Sequence, residues 1–430
     1  MSFDFTTMGE LNPQAIAPLT EAEAWFDSYW WPYIGEIQKG GQNPTGVSSK
    51  GMRPQEMPLV KYSQFAPSNT DTVYVPQLQH LIGTGVYGDL DLEGSEEDMD
   101  IFNHELKINA LAHAVNTRTG PMNTLRAKQV AMMQAARPLL RQWFSNKMSW
   151  ELTQAFYKGI NPGIAATAIT GGLAVTQRDH PNIFVPGIVG TANVTDGWVD
   201  YDATAATYMA RVAVAINAQN NALTDARKFS ADLLDVLRPS LVRKRVKPAF
   251  THNGKKCWIA LLNCDTMAQA RADERIRTAT DSAFSGKGFD HPMLKGAELY
   301  YNGFVLVEND NVGLEVHQTA DTTTIYGAVN AAETAHLNPL DNIVSTDSAD
   351  RVIKASLILG ANAMSIGRVN TLEMVPKNGA YNDYKRKESV GGTLIWGAAR
   401  AEWTTTLATR TEINNFGSAL VFTNSPANAL

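Results

Sequence analysis

The clearest alternation of apolar and polar residues along the chain falls at 102–110. Phe102, His104, Leu106, Ile108 and Ala110 lie on one side of an extended segment there, and Asn103, Glu105, Lys107 and Asn109 on the other. β-branched and aromatic residues at 72–75 supply an outgoing limb, so the pair predicts a long hairpin. Its tip, 83–100, reads GTGVYGDLDLEGSEEDMD, glycine-rich and then acidic. Two-stranded ribbons are marginal alone in water, so this one is expected to lean on another surface.

A helical period follows at 122–146. Leu125, Met132, Ala136, Leu139 and Trp143 recur at steps of three, four or seven, which gives one apolar stripe, and Pro138 is expected to kink the helix or end a turn. A second short helix is predicted at 150–157, stopped by Gly159. Strands and loops are expected over 161–189, and helices at 203–218 and 225–237, the latter with Thr224 as N-cap and Pro239 just beyond its end. The apolar run 256–262 has the length of a buried strand, 265–283 reads as helix and 303–308 as strand. Residues 352–366, VIKASLILGANAMSI, are apolar on nearly every side and predict a buried helix. Strands are expected again at 393–396 and 419–423.

The first seventy residues differ in texture. Trp25, Trp30 and Trp31 cluster with Phe26, Tyr29 and Tyr33, and 39–58 is Gly-, Pro-, Ser- and Lys-rich without a period. Long structureless runs are unusual inside compact domains, so this stretch reads as an arm lying across something else. No internal repeat is present. Strands and helices are segregated rather than alternating, which makes the fold class α+β.

Composition narrows the range of functions. The chain has 430 residues, of which 19% are charged and 44% hydrophobic, and Lys+Arg 37 against Asp+Glu 43 leaves a net charge of −6. Such a chain is globular, of two or three domains on length, and neither disordered, collagen-like nor a disulfide scaffold. An acidic balance excludes nucleic-acid binding over the whole surface, leaving local basic clusters at 243–247 (RKRVK) and 385–387 (KRK), each read as a solvated patch. Cys257 and Cys264 fit neither a redox pair nor paired zinc ligands, and read as buried thiols in a reducing compartment. The N-terminus has no basic and apolar leader, and no apolar run is long enough to span a membrane. The expected place of synthesis is the cytoplasm, with no membrane partner.

Motifs of chemistry are weak. Gly83, Gly85 and Gly88 form a literal GxGxxG, but Asp89, Asp91 and Glu93 follow in place of a helix N-terminus and would repel a pyrophosphate. Asp89, Asp91, Glu93, Gly94 and Asp100 nearly match a calcium loop, without the bidentate Glu at its end. The eight histidines show no metal-ligand spacing, and neither a nucleophile elbow nor a phosphate-binding loop occurs. The residues therefore predict no enzyme, no cofactor and no metal site. A nucleotide- or calcium-dependent enzyme is the rival that those two partial motifs would support.

Three passages carry a family resemblance. Lys107-Ile108-Asn109 leads through Gly120-Pro121-Met122 to Leu125-Arg126, then Ala136-Arg137-Pro138-Leu139-Leu140 and Trp143. Cys257-Trp258-Ile259-Ala260-Leu261-Leu262 is followed by His291-Pro292-Met293-Leu294-Lys295-Gly296-Ala297 and Tyr301-Asn302-Gly303-Phe304-Val305. Leu359-Gly360-Ala361-Asn362-Ala363 completes the order. The sequence resembles the major capsid proteins of tailed bacteriophages, which have the Hong Kong 97 fold, and most nearly the capsid family of the N-four-like phages.

The resemblance implies a division into an N-terminal arm (1–70), an extended hairpin loop that reaches over a neighbour (71–118) and a peripheral domain (119–254) with its spine helix at 122–146. A mainly axial domain (255–366) and a C-terminal return to the peripheral domain (367–430) complete it. It also implies self-assembly as hexamers and pentamers into an icosahedral virion shell around double-stranded DNA, built in the bacterial cytoplasm. Scaffolding, portal and decoration proteins are the other implied partners, and an encapsulin-like cargo shell of the same fold is the alternative. The acidic tip residues Glu96, Glu97 and Asp98 are the candidate intersubunit contact, on their charge alone.

Overall fold

The computed structural model describes residues 29–37, 57–62, 72–78, 86–87, 101–116, 132–158, 180–184, 194–195, 198–199, 228–252, 254–285, 299–309, 315–317, 351–368, 373–377, 389–407, 410–415 and 417–426. The chain opens with β1 (Ile34–Ile37), β2 (Leu59–Tyr62), β3 (Thr72–Leu78), β4 (Ile101–Lys107) and β5 (Asn109–Asn116). The long helix α1 (Met132–Lys158) precedes the short strands β6 (Ile183–Phe184), β7 (Val194–Thr195) and β8 (Trp198–Val199). Next come α2 (Ala231–Arg243), β9 (Phe250–His252), β10 (Lys255–Leu262), α3 (Cys264–Ala272) and α4 (Glu274–Ser285). Strands β11 (Leu299–Tyr301), β12 (Phe304–Glu308), β13 (Glu315–His317), β14 (Arg351–Leu359), β15 (Met364–Arg368) and β16 (Glu373–Lys377) follow. The chain closes with β17 (Ser389–Arg400), β18 (Trp403–Leu407), β19 (Arg410–Asn414) and β20 (Ser418–Pro426).

Two sheets organise these elements. The larger, ten-stranded sheet runs β11-β12-β10-β14-β20-β6-β8-β7, with β13 on β14 and β9 on β10. Its central strands are covered on both faces. Trp258, Ala260, Leu262, Phe304, Ile358 and Val421 pack with Leu233, Leu234, Leu237 and Leu241 of α2, Met267 of α3 and Ile276 of α4. Ile259, Leu261, Val305, Leu357, Leu359, Leu420 and Phe422 face a second core shared with α1 and the smaller sheet. Strands buried on both faces read as continuous apolar runs rather than alternations. This explains the main departure from expectation. Residues 352–366 are not a buried helix but two strands, β14 and β15, joined by a turn in which Asn362 has φ +53°.

The smaller, six-stranded sheet runs β1-β2-β15-β17-β16, with β5 on the other edge of β17. Residues from the first seventy therefore build into this chain itself. Trp30 is fully buried, stacks on Phe156 with ring centroids 5.2 Å apart, and donates its indole N–H to the Ser149 carbonyl over 3.3 Å. The C-terminal strand β20 pairs along the whole of β14, so 418–426 belongs to the larger sheet, as does the packing face of α2.

Helix α1 runs unbroken through Pro138 to Lys158, merging the two helices expected at 122–146 and 150–157, while 122–131 lie outside the described residues. Its buried face is one residue out of phase with the expected stripe. Leu140, Phe144, Met148, Leu152, Ala155 and Phe156 are buried, whereas Leu139 is 54% exposed. Helix α2 begins later than expected, after Ser230, and contains Pro239 on its exposed side, where water can serve the freed carbonyl. The run 265–283 is two helices, with Asn263 accepting from the Thr266 N–H over 3.0 Å at the first cap and a break at Asp273. The expected helix at 203–218 lies outside the described residues.

Candidate assembly surfaces

The ribbon forms as the alternation predicts. β3 and β4 pair antiparallel from Thr72 opposite Lys107 to Leu78 opposite Ile101. The single alternation expected across 102–110 does not persist, however. Strand β4 ends at Lys107, Ile108 lies between the strands, and β5 pairs instead with β17. The phase changes there. Leu106 is fully buried, yet beyond the break Leu111, His113 and Val115 face the core while Ala110, Ala112 and Ala114 are exposed. His113 stacks on Trp143 of α1, with centroids 4.1 Å apart. In β17 the same face carries Gly391 and Ile395, both half-exposed, and Thr393, exposed; in β16 it carries Val375, 56% exposed. Glu373 of β16 takes the register position opposite Thr393.

Helix α2 presents a second outward surface. Val236, Pro239 and Val242 are exposed between Asp232 and Asp235 near one end and Arg243, Lys244 and Arg245 at the other. Its acidic end is tied down: Asp235 accepts from Tyr301 Oη at 3.0 Å and Asn302 Nδ2 at 2.8 Å, while Arg238 donates to Asn302 Oδ1 at 2.6 Å. Asn302 and Gly303 have φ +44° and +87°, the left-handed pair that a tight hairpin turn needs. Arg243, Lys244 and Arg245 end the helix as a solvated basic patch, with Lys244 5.6 Å from the Trp198 ring centroid.

A buried polar node ties α1 to the strands around the junction of the two sheets. Arg400, at the end of β17, is 4% exposed, donates to the Phe156 carbonyl at 2.9 Å and lies 2.7 Å from Glu402 Oε1. Phe156 is among the last residues of α1, whose carbonyls have no partner inside the helix. His180 is fully buried, shares a 2.9 Å hydrogen bond with Ser418 Oγ and accepts from the Asn182 N–H at 3.1 Å. Burial, reinforced by the Arg400 charge, holds its imidazole well below the ordinary range, hence neutral. Asn182 also donates to the Asn415 carbonyl, and Asn415 Oδ1 accepts from Gly417 and Ser418. A second buried acid, Glu151 on α1, has its carboxyl pushed up to about 7 by burial, opposed by Lys147 at 3.4 Å.

Glu96, Glu97 and Asp98 lie outside the described residues, as do Gly83, Gly85, Gly88 and the calcium-like positions 89–100. Tyr87 beside them is 83% exposed. Among the described residues no group of His, Cys, Asp and Glu is placed to hold a metal ion, and no helix is long and apolar enough to cross a membrane. Cys257 is buried as expected, but Cys264, the first residue of α3, is exposed. Arg400, Glu402 and His180 carried no sequence signal as a group, because Arg400 and His180 find Phe156 and Ser418 far away in the chain. The alanine face was spelled out at 109–116, NALAHAVN, but merged into the preceding strand.

Two sheets sharing a core, a long helix against the smaller one and a projecting ribbon make this the Hong Kong 97-type capsid architecture. The chain is similar to the capsid of Ralstonia phage GP4, with 14% identity, 93% of this chain and 91% of that one covered, and a TM-score of 0.59. It is similar also to the head of Helicobacter pylori bacteriophage KHP40 (13% identity, 93% and 91% covered, TM-score 0.54). Cyanophage Pam1 capsid gives 14% identity, 91% and 95% coverage, and a TM-score of 0.53. No curated protein matches. The family model for phage capsid protein matches residues 49–427, and the chain belongs to that family. It is a structural protein, the major capsid protein of a phage shell.

Proposed function

We propose that copies of this chain form hexamers and pentamers that close an icosahedral shell around double-stranded DNA. The observation that carries this reading is the match of the phage capsid model across nearly the whole chain, 49–427. Repeated head-to-tail contacts whose rotations close are the physical route to such a shell. The larger sheet with α2, α3 and α4 serves as the axial domain, at the five-fold and six-fold centres. The smaller sheet with α1 serves as the peripheral domain, and the β3–β4 ribbon is the extended loop that reaches over a neighbour. Assembly takes place in the bacterial cytoplasm, with scaffolding, portal and decoration proteins as further partners.

The acidic tip, Glu96, Glu97 and Asp98, meets basic residues of a neighbouring copy, a reading motivated by its charge. Replacing all three by alanine is the test. The particle yield of the triple variant is expected to fall at low salt, and the parent's yield to fall toward it as salt screens the contact. Equal yields at both salts would sink the contact. Nuclease-protected double-stranded DNA in particles from infected cells is the expected cargo, and a protein cargo in its place would favour the encapsulin-like alternative.

A further inference from the structure

Positive charge is unevenly placed along this acidic chain. Residues 236–264 hold seven Lys and Arg and no Asp or Glu, in a chain of net charge −6. The two carboxylates just before this stretch are engaged by their own chain. Asp232 accepts from Arg275 at 2.5 Å, and Asp235 accepts from Tyr301 and Asn302. The fold draws the charge onto one surface. A Cβ placed on Gly303 would meet the Lys256 carbonyl at 2.7 Å and Arg238 Nε at 3.7 Å, so the start of β10 lies beside α2. From Arg238 to Arg245 the helix and its cap extend roughly 10 Å, at ~1.5 Å per residue. Arg243, Lys244, Arg245, Lys247, Lys255 and Lys256 are all exposed, while Val246 is buried in the core that holds Leu241.

The end of α2 is a Schellman turn. The Val246 N–H donates to the Leu241 carbonyl at 3.0 Å and the Arg245 N–H to the Val242 carbonyl at 3.1 Å. Arg245 takes the left-handed position of this turn, with φ +58°, where glycine is the usual residue. The chain therefore keeps a long cationic side chain where the backbone favours none, and strain of this kind persists where a function holds it. Ending the helix does not require it. Arg243, in the last turn, already complements the helix dipole, and further cations beside it repel one another.

We propose that this surface, Lys244, Arg245 and Lys247 with Lys255 and Lys256 beside them, binds the phosphate backbone of double-stranded DNA without reading its sequence. Every exposed residue at 243–247 and 254–256 is Lys, Arg or Gly. Interfaces between proteins centre on an apolar core, whereas those with DNA are polar and strongly positive. A duplex carries one negative charge per ~1.7 Å of its axis, so a surface ~10 Å long faces about six of them. The inference rests on the shell reading, which supplies the DNA, and adds to it the surface of each copy that the packaged duplex meets.

The test is fluorescence anisotropy of a labelled duplex of about 30 base pairs titrated with unassembled full-length subunits, between ~50 and ~200 mM salt. The parent is expected to bind two unrelated sequences alike, with log affinity falling against log salt at a slope of about −4. Arg245→Gly supplies the residue that the turn favours, so it is expected to melt no lower than the parent while binding more weakly. Lys244→Gln, Arg245→Gly and Lys247→Gln together are expected to weaken binding at least tenfold and to flatten the slope by about 3. Lys385→Gln, Arg386→Gln and Lys387→Gln remove the same charge elsewhere and are expected to leave affinity within twofold. A parent that does not bind at ~50 mM salt, a first triple variant that binds like the parent, or a second that loses as much as the first would overturn the inference. Polyglutamate that displaces the duplex at equal charge concentration would also overturn it, in favour of an acidic protein surface. Each of these leaves the shell reading intact if the parent forms particles, as scored by electron microscopy; a parent that forms none overturns that reading itself.

Discussion

Removal of the Arg400 side chain probes the node that holds α1 against the strands around the sheet junction. Arg400 is 4% exposed, and its guanidinium serves two buried acceptors, the Phe156 carbonyl at 2.9 Å and Glu402 at 2.7 Å. Arg400→Met keeps much of the volume and strips both. It leaves a buried carboxylate without its cation and a helix-terminal carbonyl without a donor. Breaking one side of a buried pair costs ~3–5 kcal/mol, since the stranded charge stays desolvated. Arg400→Lys keeps the charge but offers one ammonium where a fork reached two acceptors, and is expected to cost ~1–2 kcal/mol. Glu402→Gln combined with Arg400→Met removes the stranded charge, so the double variant is expected to recover ~2 kcal/mol or more of the single loss. The assay is urea unfolding of unassembled subunits followed by tryptophan fluorescence, read as midpoint shifts within this series. An Arg400→Met variant within ~1 kcal/mol of the parent, or a double variant whose loss equals the sum of the singles, would refute the reasoning.

Three further outcomes follow from burial and close packing. Glu151, pushed up to about 7 from an ordinary 4.5, binds its proton more tightly when folded. The stability this contributes is complete below about pH 4.5 and is lost as pH rises toward 7. Glu151→Gln is therefore expected to match the parent at pH ~4 and exceed it by up to ~3 kcal/mol at pH ~8 in urea melts; equal stability at both would count against the buried acid. Trp30→Ala, which empties a fully buried site stacked on Phe156, is expected to cost ~3–5 kcal/mol in the same assay. At Gly417 an added Cβ would meet the Ala363 backbone and come within 2.7 Å of the Asn362 carbonyl, so Gly417→Ala is expected to lower the melting temperature by several degrees through a cost of ~1–3 kcal/mol.

Where the sequence was legible, local pattern and tertiary burial agreed. The runs 256–262, 303–308 and 419–423 are short, apolar and bounded, and each lies in a strand of the larger sheet. The hairpin and its pairing followed from alternation, since the two-residue period of a strand is written into the residues at 102–107. Residues 352–366 misled for the opposite reason. Two strands buried on both faces and joined by Gly360-Ala361-Asn362 are as apolar in every direction as a buried helix, and only their pairing with β20 and β17 tells them apart. Pro239 looked like a stop, yet it sits on the solvent side of α2, where the missing hydrogen bond is tolerated. The alanine face was hidden by the phase change at Ile108, since a one-residue slip exchanges the two sides of a strand. The Arg400 node had no pattern, because Arg400 and the Phe156 carbonyl, 244 residues apart, are brought together only by the tertiary fold.

The central claim, that this chain exists to assemble with copies of itself, is tested most directly by expressing it with the head proteins of its own phage and imaging the product by electron microscopy. The account predicts closed icosahedral shells, or tubes and capsomer rings of the same subunit. A compact monomer at every concentration and salt, above all one that binds nucleotide or calcium tightly, would contradict it.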